Sequence, residues 1–332
     1  MPSTRFFYGA AHEGFPPSEL IEQAVEAEKA GFEGISASDH LQPWWEPGHS
    51  GQAWTWLGAA GQATEKVELG TGVTAPMYRY NPVIVAQAFA TLEEMFPGRA
   101  FLGVGSGEAL NETPIGADWP DPGEQVERMA EALEIISRLY DGERLEFEGK
   151  HFTTRGAYLH TRGERRPPVW VSAFGPEAAK VAAKWGDGLW TLADPEQAPD
   201  LIDTYRSACD DEGKEPGEIL LHTGFSWHED EETAFEIARK WKSTGVDAYY
   251  TDDIHDPQEM YERAEREISD DEFRESFILT SDVDEHVERV RQIEEMGATI
   301  VVLMNITGED PIAAIRTYGD KVLPAVRSGV RA

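Results

Sequence analysis

The chain has 332 residues, 40% of them hydrophobic, which is enough to bury a large core in one domain or two. Its formal charge of −33 at pH 7 disfavours nucleic acid and anionic membranes as partners. The single cysteine, Cys209, rules out an intramolecular disulfide framework and a cysteine-based metal site, and fits a reducing compartment.

The elements read in chain order as strands alternating with amphipathic helices. Arg5 to Ala11 is a first strand, followed by a helix over Glu19 to Lys29 that Pro16-Pro17-Ser18 opens and Gly31 stops. Gly34 to Ser38 and Val67 to Val73 are the second and third strands, and Pro82 to Met95 is a helix ended by Pro97-Gly98. Ala100 to Gly105 is the fourth strand and Glu124 to Tyr140 a long helix; Asp141 to Arg166 is irregular enough to hold a hairpin. Val169 to Ala173, a helix from Pro176 to Lys184, and Gly188 to Leu192 continue the pattern. Ile219 to Trp227 is the seventh strand, and the acidic stretch from Glu229 to Glu275 is helical in part. A helix at Val283 to Met296, a strand at Thr299 to Asn305 and a helix at Pro311 to Ala325 close the chain.

Such alternation implies a parallel sheet with helical crossovers. About eight units in a chain of this length point to a closed (β/α)8 TIM barrel. One domain over residues 1–332 is expected, with its largest insertion, about 229–280, between strands seven and eight. No apolar run approaches the roughly 18 residues that a membrane span needs. Met1 to Gly9 lacks the basic start and apolar core of a signal peptide, so a cytoplasmic location is expected. The acids cluster in surface positions such as Asp210, Asp211, Glu212 and Glu229 to Glu232, and arginine outnumbers lysine. That pattern suits a halophilic protein, in which molar salt screens self-repulsion.

In this architecture the active site is built from strand C-termini and the loops after them. Polar residues just past strands are therefore the candidates. Ser38-Asp39-His40, followed by Trp44 and Trp45, offers a histidine that the neighbouring acid can orient as a base, with two aromatics able to wall a flat ring. Gly103 to Glu112 is a glycine-rich turn after the fourth strand from which Glu108 projects over the barrel mouth; its spacing is not the dinucleotide fingerprint. Glu13 follows strand one, Gly72-Val73 and Pro76 lie at the end of strand three, and Ser172 to Pro176 leads into a helix N-terminus suited to phosphate. Histidine and glutamate do not stand at metal-ligand spacing, so no catalytic metal is expected.

Three blocks, Ser-Asp-His-x-x-Pro-Trp at 38–44, Tyr80-Asn81-Pro82 leading to Ala86-Gln87-Ala88-Phe89-Ala90-Thr91, and Phe101 to Glu112, together resemble the luciferase-like monooxygenase superfamily. Within it the chain is similar to the branch of glucose-6-phosphate and secondary-alcohol dehydrogenases dependent on coenzyme F420, a deazaflavin. The resemblance runs from about residue 5 to 192 and resumes in the closing units. It implies His40 as the base that takes the hydroxyl proton, Glu108 as the acid toward the deazaflavin ring, Trp44 beside the reacting centre and Glu13 as an active-site carboxylate. It further implies coenzyme contacts at Asp39, Ser106, Gly107 and Asn111, a non-proline cis peptide at Gly72-Val73, and a phosphate-holding loop at Ala173, Phe174, Gly175 and Pro176. Family members are usually homodimers.

The chain departs from the sugar-phosphate enzymes of that branch. The loop after strand six reads Leu192-Ala193-Asp194-Pro195, the insertion carries Tyr249-Tyr250-Thr251-Asp252-Asp253, and Glu275-Ser276-Phe277 stands before Ser281, with no cation where a phosphate needs one. A small neutral alcohol, ketone, aldehyde or unphosphorylated sugar is the expected substrate. The alternatives are glucose-6-phosphate, an FMN-linked monooxygenase on the same fold, and a coenzyme-binding protein without turnover.

Overall fold

The computed structural model describes residues 3–329. Met1, Pro2 and residues 330–332, included in the expected domain, lie outside the described residues, as do the side chains of Asp247 and Tyr249. Eight parallel strands form the central sheet: β1 (Arg5–Ala10), β2 (Gly34–Ala37), β3 (Glu68–Thr71), β4 (Ala100–Val104), β5 (Val169–Ser172), β6 (Gly188–Leu192), β7 (Glu218–Ser226) and β8 (Ile300–Asn305). Each pairs with its chain neighbour from β1 to β8, and β8 returns to β1 with Phe7 opposite Val302. The sheet is therefore a closed barrel. Ile278–Leu279 adds a short parallel strand beside the end of β7.

Side-chain alternation along the strands sorts two cores. Phe7, Phe101, Trp170, Trp190, Leu220, Ile300 and Val302 fill the barrel interior. Phe101 and Trp170 lie with ring centroids 4.6 Å apart, and Phe7 is 5.6 Å from Phe101. Residues of opposite parity, such as Phe6, Tyr8, Ile35 and Leu69, pack outward against the helices. Four large aromatics fit inside only because neighbouring strands supply glycine. A Cβ on Gly34 would stand 2.5 Å from the Phe7 ring, and one on Gly70 would stand 2.2 Å from the Phe101 carbonyl oxygen. At the N-terminal end Arg5 bridges Glu68 and Glu218 across the barrel.

Helix ends follow their residues. Asn81 accepts from the Val83 N–H with Pro82 at the first turn, Asp121 accepts from Glu124, and Gly31 at φ 90° ends the first helix, Pro17–Ala30. The expected hairpin is present as Leu145–Glu148 paired with Thr153–Ala157. Two outer helices, Ala53–Ala63 and Ala198–Asp211, are not among the elements expected in chain order. The expected closing helix is divided by a wider π turn at Tyr318–Val322. The third strand ends at Thr71, so Gly72 and Val73 belong to the loop. Between β7 and β8 the insertion comprises the helices Glu231–Glu236, Pro257–Glu267 and Asp270–Ser276, with 3-10 turns between the first two. Among the described residues no helix is long and apolar enough to cross a membrane.

The substitution Gly70→Ala forces a methyl group against backbone rather than against a flexible side chain. It is expected to destabilise the fold by about 1–3 kcal/mol or more, read as a lower denaturation midpoint at unchanged m-value.

Candidate active site

The C-terminal strand ends surround a cavity of about 1590 Å³, whose walls also draw on the insertion. Of the residues singled out in the sequence, Glu13, Asp39, His40, Trp44, Gly72, Val73, Ser106, Gly107, Glu108, Asn111, Phe174, Gly175 and Pro176 line it. Ala173 does not; it is buried behind the loop that follows β5. Trp45 also faces away and packs on Trp241 of the insertion at 4.9 Å.

The centre of the site is the His40 imidazole. Its Nε2 lies 3.6 Å from Glu13 Oε1 and 3.5 Å from Glu108 Oε2, so one ring nitrogen faces carboxyls from the loops after β1 and β4. Trp44 stands 4.9 Å from the ring, centroid to centroid. Asp39 does not orient His40, contrary to the reading of the adjacent pair. Its carboxylate instead accepts from Thr74 Oγ1 at 2.6 Å and Tyr80 Oη at 3.2 Å, and faces Arg79. Adjacent residues after a strand point to different sides of the loop, so the two side chains diverge. Asn111 holds the histidine instead. Its Nδ2 is 3.3 Å from His40 Nδ1 and donates to Glu108 Oε2 at 3.1 Å, while its Oδ1 accepts from the Leu41 N–H at 2.8 Å. Ser38 Oγ donates to Glu13 Oε2 at 2.8 Å and leaves the other oxygen toward His40.

Burial sets the protonation states. It pushes Glu13 up to about 7, against the opposing Ser38 hydrogen bond and with help from the Asp39 charge. Burial, reinforced by Glu13, pushes Glu108 up to about 8. Burial and then the Arg79 charge hold His40 down at about 3. At neutral pH the imidazole is therefore neutral and able to accept a proton, while Glu108 mostly carries one it can give.

The peptide bond Gly72-Val73 is cis. A Cβ on Gly72 would fall 2.7 Å from Trp190, and one on Gly105 would fall 2.5 Å from Val73 Cγ2. The wall here is backbone at Gly72 and Gly105, the Val73 side chain and the Trp190 ring beneath, a surface that suits a flat ring system. At the rim, Gly175 precedes the helix Pro176–Trp185, whose first N–H groups have no partner within the helix and line the cavity through Glu177 and Ala178. These features fit a planar, phosphate-bearing coenzyme.

Sequence reasoning missed several cavity residues. Arg79 donates to Glu112 from Nε at 3.1 Å and to the Asp39 carbonyl at 2.6 Å. It stands after β3, so the same strand-end filter could have found it. Trp190 and His222 lie within strands, where that filter does not look; the Nε2 of His222 is buried without a hydrogen-bond partner. Lys242 and Arg289 also border the cavity, although no cation was expected in this part of the pocket. Lys242 donates to Asp270 at 2.8 Å, and Arg289 donates to the Glu275 carbonyl at 2.7 Å.

A closed barrel with a histidine between two carboxyls at its mouth places proton-transfer groups where this architecture carries its active sites, and comparison with known proteins gives the family. The luciferase-like monooxygenase profile matches residues 3–299, and the chain belongs to that family. An F420-dependent glucose-6-phosphate dehydrogenase of Microbacterium testaceum (strain StLB037) is 38% identical over 329 residues, 97% of each chain. One from Nakamurella multipartita is 38% identical over 335 residues, 98% of each. Among solved structures, an F420-dependent secondary alcohol dehydrogenase in complex with an F420-acetone adduct superposes with a TM-score of 0.94 at 34% identity, over 98% of this chain and 99% of that one. The F420-dependent tetrahydromethanopterin reductase of Methanopyrus kandleri, at 23% identity and a TM-score of 0.80, shares the fold.

The raised carboxyls have a stability signature. An unfolded glutamate ionises near 4.5, whereas folded Glu13 and Glu108 keep their protons to about 7 and 8. The folded state therefore binds more protons in between, and stability falls as pH rises through this window. His40 works the other way, but only between about 3 and its unfolded value of 6.5. From pH 6.5 to 8 the carboxyls act without it. Denaturant unfolding of Glu108→Gln across that range is expected to show a shallower decline than the parent, by at most about 1.4 kcal/mol per pH unit.

Proposed function

We propose that this chain is a coenzyme F420-dependent dehydrogenase or reductase that moves a hydride between the CH–OH or C=O carbon of a small neutral substrate and C5 of the deazaflavin. The observation that carries this is the placement of His40 Nε2 between Glu13 and Glu108 at the barrel mouth, beside Trp44. The F420 dependence named for relatives sharing more than a third of their residues supports the coenzyme.

Asp39, Ser106, Gly107 and Asn111 would contact the coenzyme, Gly72 and Val73 would back its ring, and Phe174, Gly175 and Pro176 would hold its phosphate. Bound there, the deazaflavin supplies an electrophilic carbon that accepts hydride. Neutral His40 accepts the hydroxyl proton of the alcohol. Protonated Glu108 gives a proton to the ring side of the site. Glu13 faces the same imidazole nitrogen and moderates its charge as the proton arrives. Trp44 covers the histidine and keeps water from it, which strengthens each of these interactions.

Glucose-6-phosphate is the second reading, favoured by the names of the sequence relatives and by Lys242 and Arg289 on the cavity wall. The neutral substrate is preferred because those cations are already engaged, and Asp194, Glu196, Glu272 and Glu275 line the same cavity. The discriminating experiment is an anaerobic titration with oxidised F420 and separately with FMN, followed by alcohols, sugars and glucose-6-phosphate while deazaflavin absorbance is monitored. Tight F420 binding and bleaching by a neutral alcohol or sugar are expected. Preference for FMN with oxygen consumption would establish the monooxygenase alternative, and binding without bleaching by any substrate would leave a binding protein. His40→Ala is expected to lower turnover by about two to four orders of magnitude with coenzyme binding near normal; unchanged turnover would remove His40 from the reaction.

We also propose a cytoplasmic, halophilic homodimer. On a surface this acidic, the outer faces of Ala53–Ala63 and Pro82–Met95 expose Thr55, Ala59, Gln62, Ile84, Gln87, Thr91 and Met95, with Glu94 as their one carboxylate. Two copies can approach there with the least repulsion. Light scattering in molar KCl is expected to give twice the 36.9 kDa chain mass, and the melting temperature is expected to rise from low salt to molar salt.

A further inference from the structure

Four carboxyls, Glu13, Asp39, Glu108 and Glu112, are gathered at one end of the cavity, and among the cations bordering it only Arg79 is ion-paired with any of them. Arg79 is nearly buried, with 8% of its side chain exposed, and the Asp39 and Glu112 side chains are 1% exposed. It is held from one side by Glu112, which accepts from its backbone N–H at 3.0 Å and from Nε at 3.1 Å. On the other side its guanidinium donates to the carbonyl oxygen of Asp39 at 2.6 Å and lies 3.7 Å from the Asp39 carboxylate.

The Asp39 carbonyl belongs to the peptide unit that leads into His40. Glu112 lies one helical turn after Glu108, in the short helix Ala109–Glu112. Arg79 thus ties the backbone that carries the histidine to the helix that follows the acid. Asn111 makes a parallel tie from the same helix to Leu41 and His40. The His40 to Glu108 separation therefore depends on two struts, one neutral and one charged.

We propose that Arg79 and Glu112 form a positioning pair for the hydride-transfer site, fixing the His40 to Glu108 geometry and setting the charge that both residues feel. The proposal rests on the oxidoreductase reading only for its effect on turnover. Neither residue has to touch substrate. Their opposite charges act in opposite senses on the site: the guanidinium disfavours protonation of its neighbours and the Glu112 carboxylate favours it. The directions agree, since Arg79 pulls Glu108 down while Glu112 pushes it up, and Arg79 also holds His40 down. The other titratable groups facing the pair are Asp39 after β2 and Tyr78 and Tyr80 after β3, while Glu13 and His12 after β1 face Glu108 and His40.

The test uses the coenzyme-free full chain labelled with 13C at the glutamate carboxyls, with Glu108→Gln to assign the Glu108 resonance. Arg79→Gln is expected to move the Glu108 titration midpoint upward and Glu112→Gln to move it downward, each by about half a pH unit or more. Arg79→Lys keeps the charge but loses the two-sided grip. It is expected to leave the midpoint near that of the parent while lowering kcat at least tenfold, with KM less affected. A purely structural role would lower melting temperatures without opposite titration shifts. Midpoints that stay put, or that move the same way in both glutamine variants, would overturn the proposal. If Arg79→Gln does not fold, Glu112→Gln and Arg79→Lys still decide it: an unmoved Glu108 midpoint in the first, or parent-like kcat in the second, is enough against it. Absence of deazaflavin turnover in the parent chain would defeat the functional reading alone, because the titrations need no coenzyme.

Discussion

Return of β8 to β1 is the constraint on which everything else rests. Helical crossovers keep all eight strands parallel, and closure gathers their C-terminal ends into one ring, so every strand releases its chain toward the same mouth. Residues separated by nearly a hundred positions, such as Glu13 and Glu108, then meet at one imidazole. Closure in turn requires an interior that excludes water, and aromatics from β1, β4, β5 and β6 supply it. Those rings are admitted by glycines on adjoining strands. Trp190 belongs both to this interior and to the wall beneath Gly72, so barrel packing and the shape of the cavity wall are one problem.

Placing charges in such a wall has an energetic consequence. A buried carboxylate without a partner is costly and tends to take up a proton instead. The site uses both outcomes. Burial raises all four carboxyls, but at Asp39 and Glu112 it is opposed by the Arg79 charge and by hydrogen-bond donors, while Glu13 and Glu108, each with one side-chain donor beside a neutral histidine, rise to about 7 and 8. A proton donor and a proton acceptor therefore stand side by side near pH 7, as reversible hydride exchange with a carbonyl requires. The stability that raised carboxyls forgo above neutral pH is the cost of keeping that donor.

Much of this was legible in the sequence because strand-helix alternation and strand-end residues carry strong local signals. The eight barrel strands stand in the expected order, and Glu13, His40 and Glu108 share the expected cavity. What was not legible depended on side-chain direction. The adjacency of Asp39 and His40 suggested a pair, yet the loop turns them apart and gives the histidine to Asn111. Trp45 looked like a second ring wall and instead anchors the insertion through Trp241. The helix Ala53–Ala63 was hidden because AWTWLGAAGQA lacks charges and carries two glycines, which blurs the amphipathic period that marks the other outer helices. Lys242 and Arg289 reach the cavity from an insertion whose fold the sequence pattern does not set.

The same uneven distribution of charge bears on the substrate. With a surface of −33, the cavity mouth is ringed by carboxylates such as Asp194, Glu196 and Glu272, and an anion entering it meets repulsion before it meets any cation. A coenzyme with a phosphate can offset this at the helix N-terminus after Gly175, where backbone N–H groups attract charge without needing a side chain. A substrate phosphate would have to draw Lys242 from Asp270 or Arg289 from the Glu275 carbonyl. Each exchange leaves a polar group near the cavity short of its partner. The neutral hydroxyl or carbonyl compound proposed as substrate incurs neither cost, and the contact proposed for it is with His40, Glu13 and Glu108.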